Sequence, residues 1–227
     1  MHAVHRRKTG AMRELQHLVS RGHTRWVGGE VVPRKLEALA LKFADRYAID
    51  RSAQQRWRCK KRGLANASLV SWFDSENDRV LWWLLVTPGS GLVEDLEKLA
   101  ETGNKRSRIT LTGYELVKAP RRGKEAAWTW RMTKATEEAW RERVRTVFRH
   151  GTEDQCRQAL YSLSRVPGFH GARSQAWELI QQTRADWKRS QPDEWPFGKV
   201  LIPWVGRYKS ADTMDVRQFG EWARRRR

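Results

Sequence analysis

The sequence predicts an α+β fold: a ferredoxin-like β-α-β-β-α-β core with an extra strand, followed by a C-terminal helical layer. Three observations predict it. Up to residue 132, strand-like runs alternate with amphipathic helical patterns in the order β-α-β-β-α-β-β. Two pairs of those runs flank short polar connections, as hairpins do. From residue 133 the apolar spacing is helical. The order of the first part is the split β-α-β arrangement with one strand added.

The length of 227 residues allows a core domain with an appended unit. We expect an N-terminal arm at 1–20, the ferredoxin-like domain at 21–132, a helical extension packed on the sheet at 133–190, and an irregular basic tail at 191–227.

The first predicted strand is "HTRWVGGEVV", 23–32, in which Gly28 and Gly29 indicate a bulge or a close backbone approach. A helix then starts at Pro33 and runs through "PRKLEALALKFADRYAI" with apolar residues at helical spacing. The basic segment 50–63 that follows fits a short helix or an ordered loop.

The runs 66–73 and 79–87 flank "DSEND" and are expected to pair as an antiparallel hairpin. A second helix is predicted over 90–103, with acidic residues in its first turns and Gly103 as its stop. The runs "SRITLTGYELVKA" and "AAWTWRMT" then straddle the turn "PRRGKE" as a second hairpin.

Three helices are predicted after that hairpin, over 133–150, 152–166 and 170–190, and the second opens with a Thr152 to Gln155 capping box. A place for these helices follows from the adjacent Trp82 and Trp83, whose side chains point to opposite faces of their strand. Both faces of that strand are apolar, so we expect a sheet covered on both sides, with the C-terminal helices as the second layer through Trp140, Val144 and Trp177.

The charge balance predicts a polyanionic partner. Lys and Arg total 45 against 26 Asp and Glu, a formal net charge of +19, and nucleic acid is the partner that such an excess favours. Cys59 and Cys156 form no CxxC motif, and no stretch is apolar enough for a membrane span. We therefore expect a cytoplasmic protein without a membrane partner.

Basic clusters border the predicted sheet and are the candidate nucleic-acid contacts. Trp57 lies in the densest cluster, where it is equally consistent with a stacking platform and with a hydrophobic pin for its segment. The candidate residues are Arg56, Trp57, Arg58, Lys60, Lys61, Arg62, Lys105, Arg106, Arg108, Arg121, Arg122 and Lys124.

The six histidines form no metal-binding motif such as HExxH, so neither a metal nor a cofactor is predicted. A metal-independent nuclease or nicking enzyme remains an alternative, with His23 and Tyr114 as its candidate catalytic residues. A third alternative is an interaction protein that binds or inhibits a host nucleoprotein complex.

The stretches "GHTRWVGGEVV", "KLEALALKFADRYAI", "WWLLVTPG" and "LTGYELV" followed by "AWTWRMT" resemble those of uncharacterised proteins encoded on proteobacterial plasmids and integrative conjugative elements. The resemblance covers most of residues 22–190 and carries no catalytic residues with it. It implies a mobile genetic element as the setting, with a role in replication, transfer or regulation, and it favours DNA over RNA as the nucleic acid.

Overall fold

A computed structural model describes residues 2–121, 123–190, 193–205 and 212–226. The chain divides into two compact units. The first contains the described residues up to Arg108 together with 212–226, and the second runs from Ile109 to residue 205. The fold is mixed α+β, as predicted, and none of the helices described here is long and apolar enough to cross a membrane.

The described strands are, in chain order, β1 (Ala3–His5), β2 (Arg25–Val31), β3 (Ala67–Asp74), β4 (Arg79–Val86), β5 (Ala100–Glu101), β6 (Thr110–Leu111), β7 (Tyr114–Arg121), β8 (Lys124–Met132) and β9 (Thr213–Asp215). The helices are α1 (Lys8–Ser20), α2 (Leu36–Tyr47), α3 (Ala53–Lys61), α4 (Leu92–Leu96), α5 (Lys134–His150), α6 (Glu153–Ser164), α7 (His170–Ser190) and α8 (Val216–Arg225). A 3-10 turn at Pro33–Lys35 leads into α2.

The first unit is built on a six-stranded sheet in the order β5-β2-β4-β3-β1-β9. The predicted hairpin of β3 and β4 is present, and β2 pairs antiparallel with β4 over its whole length. Gly28 and Gly29 lie opposite Trp83 and Trp82 in that pairing. The register of β2 is unbroken there, so these glycines mark a close backbone approach and not a bulge.

Both faces of β3 and of most of β4 are buried, as the apolar pattern of β4 predicts, whereas Gly28, Gly29 and Glu30 of β2 are exposed. On one face, α2 and α8 pack over a core that includes Phe43, Leu84 and Phe219, with Trp82 at its border. On the face that carries Trp83, the buried side of α1 packs against β3. The predicted covering layer is therefore corrected: α1 supplies it in this unit, and the C-terminal helices belong to the second unit.

The hairpin of β7 and β8 forms a separate three-stranded sheet with β6 and does not extend the first sheet. The short strand β5 occupies the place beside β2, because the predicted helix at 90–103 ends after a single turn and Thr102 donates its backbone N–H to the Thr24 carbonyl at 2.8 Å. In the second unit, α5 and α7 pack on β8 around the fully buried Trp130. The compact unit boundary thus falls at 108 and not at 132.

Both predicted terminal segments differ from expectation. The arm at 1–20 contains β1 and the 13-residue α1, and the described part of the predicted irregular tail includes β9 and α8. The strand β1 is parallel to β3 and antiparallel to β9, so these segments form the edge of the first sheet. Residues 191–192, 206–211 and 227 of the predicted tail lie outside the described residues.

Candidate nucleic-acid interface and histidine cleft

The densest basic cluster of the sequence forms helix α3, and it lies on the surface of the first unit. No residue of this helix is buried. Its exposed cations are Arg58, Lys60 and Lys61, followed at the C-cap by Arg62. Trp57 is 57% exposed, and the Lys61 Nζ atom lies 4.2 Å from the centroid of its ring. Trp57 is thus a solvent-facing ring and not a hydrophobic pin.

Two devices fix the position of α3. Ser52 and Gln55 form a capping box at its N-terminus, which satisfies backbone N–H groups that a helix start leaves free. Arg56 points inward and donates to the carbonyl oxygens of Ile49 at 2.6 Å and Ala67 at 2.9 Å, and to Ser68 Oγ at 2.9 Å. Arg56 therefore anchors the helix to β3, while the other cations stay accessible.

A shallow depression of about 400 Å³ follows α3 and is lined by Arg51, Arg58 and Arg62 together with Asp50. Asp50 also lines a larger cavity of the first unit, which we call the histidine cleft. The depression and the histidine cleft share Asp50 in their linings, so arginines of both concavities lie around this carboxylate.

The histidine cleft has a volume of about 660 Å³ and opens beside the first half of β3. Its lining includes residues of α1, α2, α3 and the start of α8, and its titratable side chains are four histidines, three arginines and two carboxylates. These residues are His2, His5, His17, His23, Arg21, Arg56, Arg217, Glu14 and Asp50. Four of the six histidines of the chain thus line one cavity.

Three of these histidines are held neutral at pH 7. Burial lowers the pKa of His5 and of His23 to about 4. Burial, with the neighbouring His5, lowers the pKa of His2 to about 4 as well. The cationic character of the cleft at neutral pH therefore comes from Arg21, Arg56 and Arg217.

His23 is engaged through both ring nitrogens. Its Nδ1 lies 3.0 Å from the Leu18 carbonyl oxygen, which accepts only, so Nδ1 carries the proton. The unprotonated Nε2 then accepts from the Ser68 hydroxyl at 3.1 Å. Ser68 Oγ also receives a hydrogen bond from Arg56. A hydroxyl, a base and a group that orients the base are the arrangement that activates nucleophiles.

The remaining predicted residues are spread over both units. Lys105 and Arg106 are exposed on the loop after β5, and Arg108 is partly buried at its end. This loop is held by Trp26, whose Nε1 donates to the Ser107 carbonyl at 3.0 Å. Arg121 and Lys124 are exposed at the hairpin of the second unit, while Arg122 lies outside the described residues. Arg121 and Lys124 therefore belong to a different unit from α3.

Tyr114 is buried in the second unit, whereas His23 belongs to the first. Burial raises the pKa of Tyr114 to about 12, which keeps its hydroxyl protonated. The Tyr114 hydroxyl thus lacks the ionisation expected of a nucleophile, and it lies in a different unit from His23.

The sequence reasoning missed most of the histidine cleft. His2, Ser68 and Arg217 come from distant parts of the chain, and no local motif joins them. The available signal was the four histidines within the first 23 residues, but an arm predicted to be either frayed or a short helix gave them no common location.

Among the described residues, no group of three or more His, Cys, Asp or Glu side chains is placed to hold a metal ion. The comparisons with known proteins add no relative: no protein-family model, no curated protein and no solved structure matches the chain. The site therefore has to be interpreted from its own chemistry.

Proposed function

We propose that this chain is a nucleic-acid-binding protein of a mobile genetic element, that DNA is its nucleic acid, and that α3 is a principal contact. The observation that carries the proposal is a helix with no buried residue that presents four cations and an exposed tryptophan. The preference for DNA and the mobile-element setting rest on the sequence resemblance alone.

The composition of α3 is unfavourable for the isolated protein. Arg58 and Arg62 are four residues apart, and like charges at that spacing destabilise a helix by about 0.2–0.5 kcal/mol. An exposed indole ring adds apolar surface in water. A polyanion relieves both costs, because phosphates neutralise the cations and an unstacked base covers the ring.

The finer fold proposal is that β5-β2-β4-β3, with α2 and α4 in its connections, forms a ferredoxin-like core. The strand order and antiparallel pairing support it. Because both faces of the central strands β3 and β4 are buried, we expect nucleic acid to bind at the margins of the sheet and not across it. The position of α3 agrees with binding at a margin.

The test is binding of labelled single-stranded and duplex DNA and RNA at increasing salt. With about six to ten phosphates contacted, affinity should fall about 10³- to 10⁵-fold between about 50 and 200 mM salt. Arg58→Gln with Arg62→Gln should weaken binding and make the salt dependence shallower by about 0.9 per lost contact on duplex DNA.

The matched control is Arg34→Gln with Lys42→Gln, which removes two exposed cations near and on α2. It should stay close to wild type in affinity and salt slope. Absence of binding by micromolar wild-type protein at low salt would reject the proposal, and equal behaviour of the two double variants would reject α3 as the contact.

A second candidate function is metal-independent cleavage of a phosphodiester bond in the histidine cleft, and the contact between Ser68 and His23 favours it. In this scheme Ser68 Oγ attacks phosphorus and its proton moves to His23 Nε2. The bond from phosphorus to the leaving oxygen breaks, and that oxygen takes a proton from His17, which is exposed in the same cleft. A water molecule then attacks phosphorus and gives a proton to His17, the bond from phosphorus to Ser68 Oγ breaks, and Oγ takes the proton back from His23.

Incubation of labelled DNA and RNA with chelator present tests this candidate. Ser68→Ala and His23→Ala should abolish cleavage, whereas Tyr114→Phe should retain it. Because the pKa of His23 is lowered to about 4, the base stays unprotonated and cleavage should persist down to about pH 5. Intact substrate at stoichiometric protein, or full cleavage by Ser68→Ala, would reject the candidate.

A further inference from the structure

Helices α5 and α7 of the second unit enclose a groove of about 420 Å³, which we call the arginine groove. Arg141, Arg145 and Arg149 line it from α5, and Arg189 lines it from α7. Phe148 and Trp187 form an aromatic wall in the same groove. The volume is within the range of pockets that hold small ligands.

The three arginines of α5 form a stripe along one side of the helix. They are four residues apart, so their Cα atoms follow one another at intervals of about 6 Å along the axis. Like charges at this spacing oppose helix formation. Helix stability therefore does not account for this row of three arginines.

Internal carboxylates neutralise this stripe only in part. Arg141 pairs with Glu137 at 3.1 Å, and Arg145 pairs with Glu142 at 3.2 Å. Arg149 is exposed and has no side-chain partner within the part of the chain that the structure describes. Because exposed ion pairs contribute little energy, a ligand phosphate can compete for these arginines as well as bind Arg149.

Contacts with neighbouring aromatic rings fix the side chains of the aromatic wall. Phe148 stacks on Trp195 with an interplanar angle of 5° and a centroid distance of 5.7 Å, and it meets Trp187 edge-on at 6.3 Å. The two groove-lining rings are thus fixed before a ligand arrives, which reduces the entropy lost on binding.

We propose that the arginine groove is a binding site for single-stranded nucleic acid. Phosphates of the strand lie along the arginine stripe of α5, and an unstacked base packs on the wall of Phe148 and Trp187. Bases of a duplex are stacked inside the helix and do not reach such a wall, so the site selects single strands. The inference deepens the proposed nucleic-acid binding and rests on it for the class of ligand.

The experiment uses the full chain and a fluorescent oligothymidylate of about 15 nucleotides, with a duplex of the same length beside it. Arg145→Gln with Arg149→Gln should reduce affinity for the single strand at least about tenfold and make its salt slope shallower by about 1.4, at 0.7 per phosphate. The control is Lys134→Gln with Arg143→Gln, which removes two α5 cations that do not line the groove. It should stay within about twofold of wild type, and both double variants should melt like wild type because the changed side chains are exposed.

Photocrosslinking with 5-iodouracil in the strand gives a second readout, and we expect crosslinks on the peptides that contain Phe148 or Trp187. Equal single-strand affinity of the groove variant and its control, or crosslinks confined to α3, would overturn the inference. If α3 substitutions still weaken nucleic-acid binding in that case, the proposed function holds and only the arginine groove is excluded as a site. A wild-type chain that binds no nucleic acid would overturn both.

Discussion

At the scale of single residues, the pair of adjacent tryptophans in β4 depends on the pair of adjacent glycines in β2. A Cβ atom on Gly28 would lie 2.8 Å from the Trp82 carbonyl oxygen and 3.1 Å from Trp83 Cδ1. A Cβ on Gly29 would lie 3.2 Å from the Trp82 ring. The two glycines thus leave the space that two large rings on opposite faces require.

We expect Gly28→Ala to lower the free energy of unfolding by about 1–3 kcal/mol, because overpacking forces the Trp82 backbone to shift. Urea denaturation measures it. Gly103→Ala is the control, since a Cβ there meets nothing within 4 Å, and it should be neutral or slightly stabilising. Equal effects of the two substitutions would contradict the close approach.

Alanine substitutions of Trp83 and Trp57 should distinguish a residue that stabilises the fold from one that contributes to binding. Trp83 is 4% exposed, so Trp83→Ala should cost about 3–5 kcal/mol of stability through cavity formation. Trp57→Ala should leave the melting temperature unchanged and weaken single-strand binding by about 1–3 kcal/mol. Thermal melts and binding curves of both variants check this, and a destabilised Trp57→Ala would assign that ring to packing.

The buried histidines make stability fall in mild acid. Their pKa values are lowered to about 4 in the folded chain, against about 6.5 in the unfolded chain. Between these values the unfolded chain binds protons that the folded chain does not, so the free energy of unfolding decreases as pH falls from 6.5 towards 4. A single histidine contributes on the order of 3 kcal/mol over that window.

His23→Gln should therefore flatten the dependence of unfolding free energy on pH between about 6.5 and 5. Denaturation at several pH values measures the slope, which is separate from any fixed loss caused by the substitution. The slope of His23→Gln is compared with that of His150→Gln, which replaces an exposed histidine. A wild-type slope in His23→Gln would show that His23 is not buried and neutral.

At the scale of elements, local patterns were sufficient where an element carries its own signal. The apolar spacing of α2, the hairpin of β3 and β4, and the capping box of Thr152 and Gln155 are all present as predicted. In the candidate site, the residues of α3 were predictable for the same reason, since charge density and an interleaved tryptophan are visible in one short segment.

The terminal elements carried no such signal. Helix α1 starts without a side-chain cap and contains Gly10, which lowers helix propensity. The strands β1 and β9 have three residues each, and their pairing depends on partners far away in sequence. The histidine cleft was unpredictable on the same grounds, because its lining extends from His2 to Arg217.

Helix α8 should be essential for the first unit. Phe219 is 2% exposed and meets the ring of Phe73 at 5.3 Å, so Phe219→Ala should cost about 3–5 kcal/mol. The neighbouring Glu221→Ala changes an exposed position of the same helix and should stay within about 0.5 kcal/mol of wild type. Urea titrations measure both, and a neutral Phe219→Ala would remove α8 from the core.

At the scale of the whole molecule, the net charge of +19 acts on binding and on stability in opposite directions. Salt screens the attraction to phosphates, and it also screens repulsion among the cations of the folded chain. The salt at which nucleic acid is released is therefore expected to lie in the range where the free protein gains stability.

The pairing of β1 with β9 has a consequence for synthesis of the chain. Residues 3–5 are synthesised before their neighbours 213–215, which emerge only after every residue of the second unit. The second unit is continuous in sequence and can finish folding on the ribosome, whereas the first must wait with the α8-covered face of its core exposed. The first unit therefore completes its folding last, although its translation begins before that of the second. A polypeptide truncated before Asp212 lacks β9 and α8, so we expect it to aggregate through the exposed face of its core.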